Sequence, residues 1–90
     1  MNANELVIQP NTRTGGEYCI FQHNDVWYVA DRSWVFDYKC YETMIFVYDN
    51  DEKKCMFDLG ECYCDRTEKP LRDCIMEFIK EDCSNEENNV

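Results

Sequence analysis

The run Cys40-Tyr41-Glu42-Thr43-Met44-Ile45-Phe46-Val47-Tyr48 decides the fold. It is rich in β-branched and aromatic residues and places Met44 and Phe46 on one face and Ile45 and Val47 on the other. That is the pattern of a central strand covered on both sides. Downstream, Asp49 to Lys53 form a polar turn, and Cys55 to Leu59 read as a returning strand with Cys55, Phe57 and Leu59 on one face. Gly60 interrupts or bulges that strand. Glu61 to Asp65 then give a last short strand that points Cys62 and Cys64 one way, as buried thiols, and Tyr63 the other.

Upstream, Glu17–Gln22 and Val26–Ala30 are two β-rich runs joined by His23-Asn24-Asp25, a hairpin loop without the usual glycine. This places His23, the only histidine, in a surface turn. Asp31 to Lys39 lack clean alternation and read as a turn followed by an irregular or bulged strand. Residues 1–16 hold Leu6-Val7-Ile8, a lead-in strand ended by Pro10, and then a Gly-containing loop. Between Thr67 and Cys83 the apolar residues Leu71, Cys74, Ile75, Phe78 and Ile79 recur at helical spacing, with Thr67 as a cap and Pro70 in the first turn. Residues 84–90 read as a frayed polar tail. The expected architecture is α+β: one domain over 1–90, an antiparallel meander of four to five strands, and one C-terminal helix packed on one face.

Ninety residues allow one compact core, and a 44% hydrophobic content separates the chain from disordered acidic tails. The net charge of −10 opposes direct contact with nucleic acid or an anionic membrane, and it favours a partner with a basic surface. Acidity in the service of solubility is the plainer alternative. No apolar run is long enough for a membrane span. The N-terminal stretch lacks the basic and apolar regions of a secretory signal, so the expectation is a cytoplasmic chain with reduced thiols.

The seven cysteines offer only one close pair, Cys62-x-Cys64, whereas a structural zinc site needs paired ligands. Cys74 and Cys83 are half a turn out of phase on one helix and cannot face the same ion. No metal and no cofactor are expected, with a small zinc-stabilised domain as the third alternative. A cysteine nucleophile would need His23 as its base, with nothing nearby to orient it, so no catalytic residue is assigned and the chain is not expected to be an enzyme. Counting a calcium loop from Asp49 puts Lys54 where glycine is required and Gly60 where the bidentate glutamate is required, which excludes an EF-hand.

Charge is concentrated in two segments. Residues 42–65 hold seven acids and two lysines, residues 73–87 six acids and one lysine, and each sums to −5. On the helix Asp73, Glu77 and Glu81 recur at i, i+4 and i+8 as one outward column, locally unfavourable as like charges. With Asp49, Asp51, Glu52, Asp58, Glu61 and Asp65 they are the candidate partner-binding residues, if the rows share a face. An alternative contact surface is an aromatic sheet face with Trp27, Trp34, Tyr38 and Tyr63, serving as an interaction patch or a homodimer seam.

The stretch Tyr41-Glu42-Thr43-Met44-Ile45-Phe46, the acidic turn, the strand ending ECYCDRTE and the closing helix resemble small uncharacterised proteins of phages and gut bacteria over about half of the chain. In general character, short, acidic, tolerant of cysteine and without a secretory signal, the chain also resembles phage anti-defence proteins, including anti-CRISPR inhibitors. That resemblance implies an inhibitor in the host cell cytoplasm that blocks a nucleic-acid-handling defence effector by occupying its basic DNA- or RNA-binding surface.

Overall fold

The computed structural model describes the backbone of residues 5–88 and the side chains of residues 5–82. Residues 1–4 of the expected lead-in, the Cys83 side chain and residues 89 and 90 of the expected tail lie outside the described residues. Six antiparallel strands and one helix follow in order: β1 Gln9–Asn11, β2 Gly16–His23, β3 Val26–Val35, β4 Cys40–Asp49, β5 Lys54–Cys55, β6 Glu61–Arg66 and α1 Leu71–Asn88. The strands form a meander, β1-β2-β3-β4, and β5 and β6 both pair with β4; the sheet curls into a half-barrel. The α+β class and the single C-terminal helix are as the sequence predicts.

β4 is the central strand, with Ile45 fully buried under the helix and Met44 and Phe46 half-buried on the opposite face. The helix lays Leu71, Cys74, Ile75, Phe78 and Ile79 onto Cys19, Phe21, Ala30 and Ile45, and Leu6 completes this core. Phe78 is its hub: its ring meets those of Phe21, Tyr28, Tyr63 and His23 edge-on, at centroid distances of 5.1 to 6.3 Å.

Four local expectations are corrected. The β2–β3 turn uses only Asn24 and Asp25, both at positive φ (52° and 64°), the conformation a two-residue hairpin turn demands and one that Asn and Asp tolerate. His23 therefore belongs to β2, paired with Val26, and is buried. Asp31 to Val35 continue β3 in unbroken register with β4, and the turn is confined to residues 36–39. The lead-in strand sits at Gln9–Asn11, after the apolar patch, whose Leu6 seats in the core and whose carbonyl accepts a bond from the Arg72 guanidinium at 3.0 Å. The helix begins at Leu71 and runs on to Asn88, further than Cys83, while Thr67 caps the preceding turn by accepting the Lys69 N–H at 3.2 Å.

The returning strand after the acidic turn is only two residues long. Cys55 pairs with Tyr48, but the next residue of β4 to find a ladder partner is Phe46, opposite Glu61, so residues 56–60 stand against the single residue Val47. The surplus chain winds into a 3-10 turn, Phe57–Leu59, closed by Gly60 at φ 75°. Phe57 and Leu59 are thereby turned out to solvent, 69% and 64% exposed. A bulge follows at once: Tyr63 faces Ile45 while Glu61 faces Phe46, leaving Cys62 as the extra residue. Cys62 and Cys64 are both exposed, contrary to the expected burial of that pair.

Candidate functional site

One helix covers one face of the sheet and the other face is left open, so β4 is covered on one side only, not on both as its sequence pattern predicts. Alternation along β3 and β4 puts Val29, Asp31, Ser33 and Val35 beside Glu42, Met44 and Phe46 there. Together with Cys55 and Phe57 they line a groove of about 450 Å³, within the range of ligand-binding clefts. Its walls are mainly apolar; its polar floor is Asp31, Ser33 and Glu42.

That floor is organised from the neighbouring strands. Asn11 pairs with Gly16 in the β1–β2 ladder, and Gly16 has no side chain to block the path across β2. A Cβ at Gly16 would lie 1.7 Å from the Arg32 carbonyl oxygen, so the position admits only glycine. Across this gap the Asn11 amide donates to Asp31 Oδ2 at 2.9 Å, and the Ser33 hydroxyl donates to Asp31 Oδ1. Ser33 has a single proton, committed to the carboxylate, so the Thr14 hydroxyl 3.1 Å away is the donor to Ser33. Asp31 thus receives hydrogen bonds from neutral groups and forms no ion pair among the described residues. Glu42, opposite Ser33 in the β3–β4 register, accepts from Arg66 Nε at 3.0 Å through Oε2, and the Arg66 guanidinium lies 3.7 Å over the Tyr38 ring.

Burial first, and the Asp31 charge second, push the Cys55 thiol up from its ordinary value. Burial raises Cys62 and Cys64 as well, with nearby carboxylates adding to it. These three thiols are protonated at neutral pH, the opposite of an activated nucleophile. Among the described residues no three His, Cys, Asp or Glu side chains converge as metal ligands, and no helix is long and apolar enough to cross a membrane.

The acidic residues singled out in the sequence fall into separate groups. Asp49 caps the β4–β5 turn, its Oδ1 accepting the N–H groups of Asp51 and Glu52 at 3.0 Å each, and Glu52 pairs with Lys54 at 2.8 Å. Asp65 and Glu77 meet at Lys69, 3.9 and 2.6 Å from its ammonium, and the Tyr63 hydroxyl donates to Glu77 at 3.3 Å. The Lys69 hydrogen bond holds the Glu77 carboxyl below its usual range. The helical column Asp73–Glu77–Glu81 is therefore neutralised at its middle member. Asp51, Asp58, Glu61, Asp73 and Glu81 are exposed and form no ion pair among the described residues. Asp58 and Glu61 stand within and just after the 3-10 turn that exposes Phe57 and Leu59.

The four aromatic candidates do not form one patch. Tyr63 lies on the helix-covered face against Phe78, which corrects its expected place on the exposed face. Trp34 alternates with Ala30 and Arg32 and packs edge-on against Tyr41, whose ring also carries the Arg32 guanidinium at 3.7 Å. Tyr38 sits in the β3–β4 turn under Arg66, and Trp27 alternates with Val29 toward the open face. Sequence reasoning missed Asp31, Ser33, Glu42 and the apolar residues around them. The spacing Val29-x-Asp31-x-Ser33-x-Val35 was the available signal, hidden by reading Asp31–Lys39 as irregular.

Compared with models of protein families, with curated proteins and with solved structures, the chain matches none.

Proposed function

We propose that this protein is a binding module that docks a partner protein on the open face of its sheet. The observation that carries the reading is the groove itself: a mainly apolar concavity of about 450 Å³ opposite the helix, extended at its edge by the exposed Phe57 and Leu59. Exposed apolar side chains flanked by the free carboxylates Asp58 and Glu61 favour a partner surface with an apolar centre and a basic rim.

A second, narrower reading is that the partner is a nucleic-acid-handling effector, as of a host defence system, inhibited because this acidic chain occupies its DNA- or RNA-binding surface. The exposed carboxylates Asp51, Asp58, Glu61, Asp73 and Glu81, without an ion pair among the described residues, favour it; the pairing of Glu77 with Lys69, which Asp65 also approaches, weakens it.

Phe57→Asp and the double reversal Asp73→Lys with Glu81→Lys separate the two. All three positions are exposed, so both variants are expected to fold. Loss of partner capture in Phe57→Asp, with salt-resistant capture by the double reversal, supports docking on the open face. Capture that survives Phe57→Asp and is lost on helix charge reversal overturns it in favour of the electrostatic decoy.

A further inference from the structure

We infer that the groove recognises a basic side chain, arginine or lysine, presented by the partner protein beside an apolar residue. The inference rests on the docking reading above and names what that surface selects.

The argument is charge complementarity inside an apolar cleft. Asp31 is half-buried, and among the described residues its oxygens are met only by the Asn11 amide and the Ser33 hydroxyl. Neutral donors orient a carboxylate without cancelling its charge. Glu42 lies diagonally across the β3–β4 ladder, two residues along β4 from Met44, the partner of Asp31. Such diagonal neighbours are about 7–8 Å apart. Among the described residues only its Oε2 is engaged, by Arg66. The floor therefore holds two carboxylates and one cation, an excess of one negative charge.

The surroundings strengthen the preference. Val29, Val35, Met44 and Phe46 form walls of low polarity beside the carboxylates, where an ion pair is less weakened by water than at an open surface. A long basic side chain matches both parts of the site, its methylene stem against the walls and its charged head at the floor. A guanidinium has donors enough to address Asp31 and the free Oε1 of Glu42 together, a geometry a neutral amide cannot reproduce. The pre-formed bonds from Asn11 and Ser33 fix Asp31 before binding, so little ordering is left to the complex.

A random peptide library displayed on phage is selected against the wild-type protein, Asp31→Asn and Phe57→Asp. The expected result is enrichment on the wild type of peptides with arginine or lysine next to an apolar residue. A synthetic peptide of the enriched sequence should bind Asp31→Asn at least tenfold more weakly at unchanged thermal stability; Glu42→Gln repeats the test if Asp31→Asn does not fold. Enriched peptides without basic residues, bound equally by Asp31→Asn but lost in Phe57→Asp, overturn the inference and leave the docking reading standing. No enrichment, or peptides bound equally by Phe57→Asp, overturns both.

Discussion

His23 Nε2 lies 2.9 Å from Asp82 Oδ2, and this bond joins the β2–β3 hairpin to the helix just beyond its buried stripe. The imidazole is buried, the carboxylate half-exposed, and the Asn24 amide donates to the same oxygen at 3.3 Å. With a carboxylate as acceptor, Nε2 is the donor of this bond. Asp82→Ala leaves that buried donor unpaired and should cost about 1–2 kcal/mol, read by urea unfolding. A double-mutant cycle with His23→Ala measures the coupling; a value near zero would sink the idea that this bond anchors the helix.

Phe78→Ala should be the most damaging single change on the helix. The ring is 8% exposed and serves four aromatic neighbours. Its removal is expected to cost about 3–5 kcal/mol, a large part of the stability of a domain this small, and to lower the melting temperature accordingly.

Gly16→Ala tests the close approach of β2 to β3. An added methyl meets the Arg32 carbonyl at 1.7 Å, and the backbone must move, at about 3 kcal/mol. Gly60→Ala is the control: its positive φ strains alanine, but nothing lies within 4 Å, and about 1 kcal/mol is expected. Equal losses in the two variants would contradict the steric account of Gly16.

Acid stability should depend on Glu77. Its folded value is lowered, chiefly by the Lys69 hydrogen bond, so it adds stability above its ordinary value of 4.5 and loses that contribution as pH falls through the lower folded value. Melting temperature followed below pH 4.5 should fall less steeply in Glu77→Gln than in the wild type. Identical profiles would show that the pair with Lys69 contributes nothing in solution.

Native thiol labelling should divide the cysteines. Cys62 and Cys64 are exposed and should react with a maleimide in the folded protein, whereas Cys19 and Cys74 are buried and should react only on unfolding. Peptide mapping by mass spectrometry reads each site, and early labelling of Cys74 would contradict the packing of the helix.

β4 and the buried stripe of the helix were legible because each is decided by residues close in sequence: Ile45 and Val47 against Met44 and Phe46, and Leu71 through Ile79 at helical spacing. The second half of β3 was not, because Asp31, Arg32 and Ser33 read as turn residues until their partners are known. Asp31 is satisfied by Asn11, and Arg32 by the carbonyls of Glu68 and Lys69, 36 and 37 residues away. The same distance hid the groove, since its existence depends on which face the helix covers. Gly60 announced an interruption, but its size followed from the ladder on β4. The inversion of Cys62 and Tyr63 relative to a regular strand is a consequence of the bulge.

The excursion at residues 56–60 makes this a molecule in which the fold and part of its exposed surface can diverge separately. The ladder closes on both sides of it, through Cys55 and Glu61, and between Met56, whose N–H reaches the Val47 carbonyl at 2.9 Å, and Gly60 at positive φ, the exposed residues 58 and 59 belong to neither the ladder nor the core. Substitutions and insertions there meet only the modest, slowly growing cost of a longer loop. A lineage carrying this fold is thus free to change the side chains it exposes at Asp58 and Leu59 while the rest of the chain stays as it is.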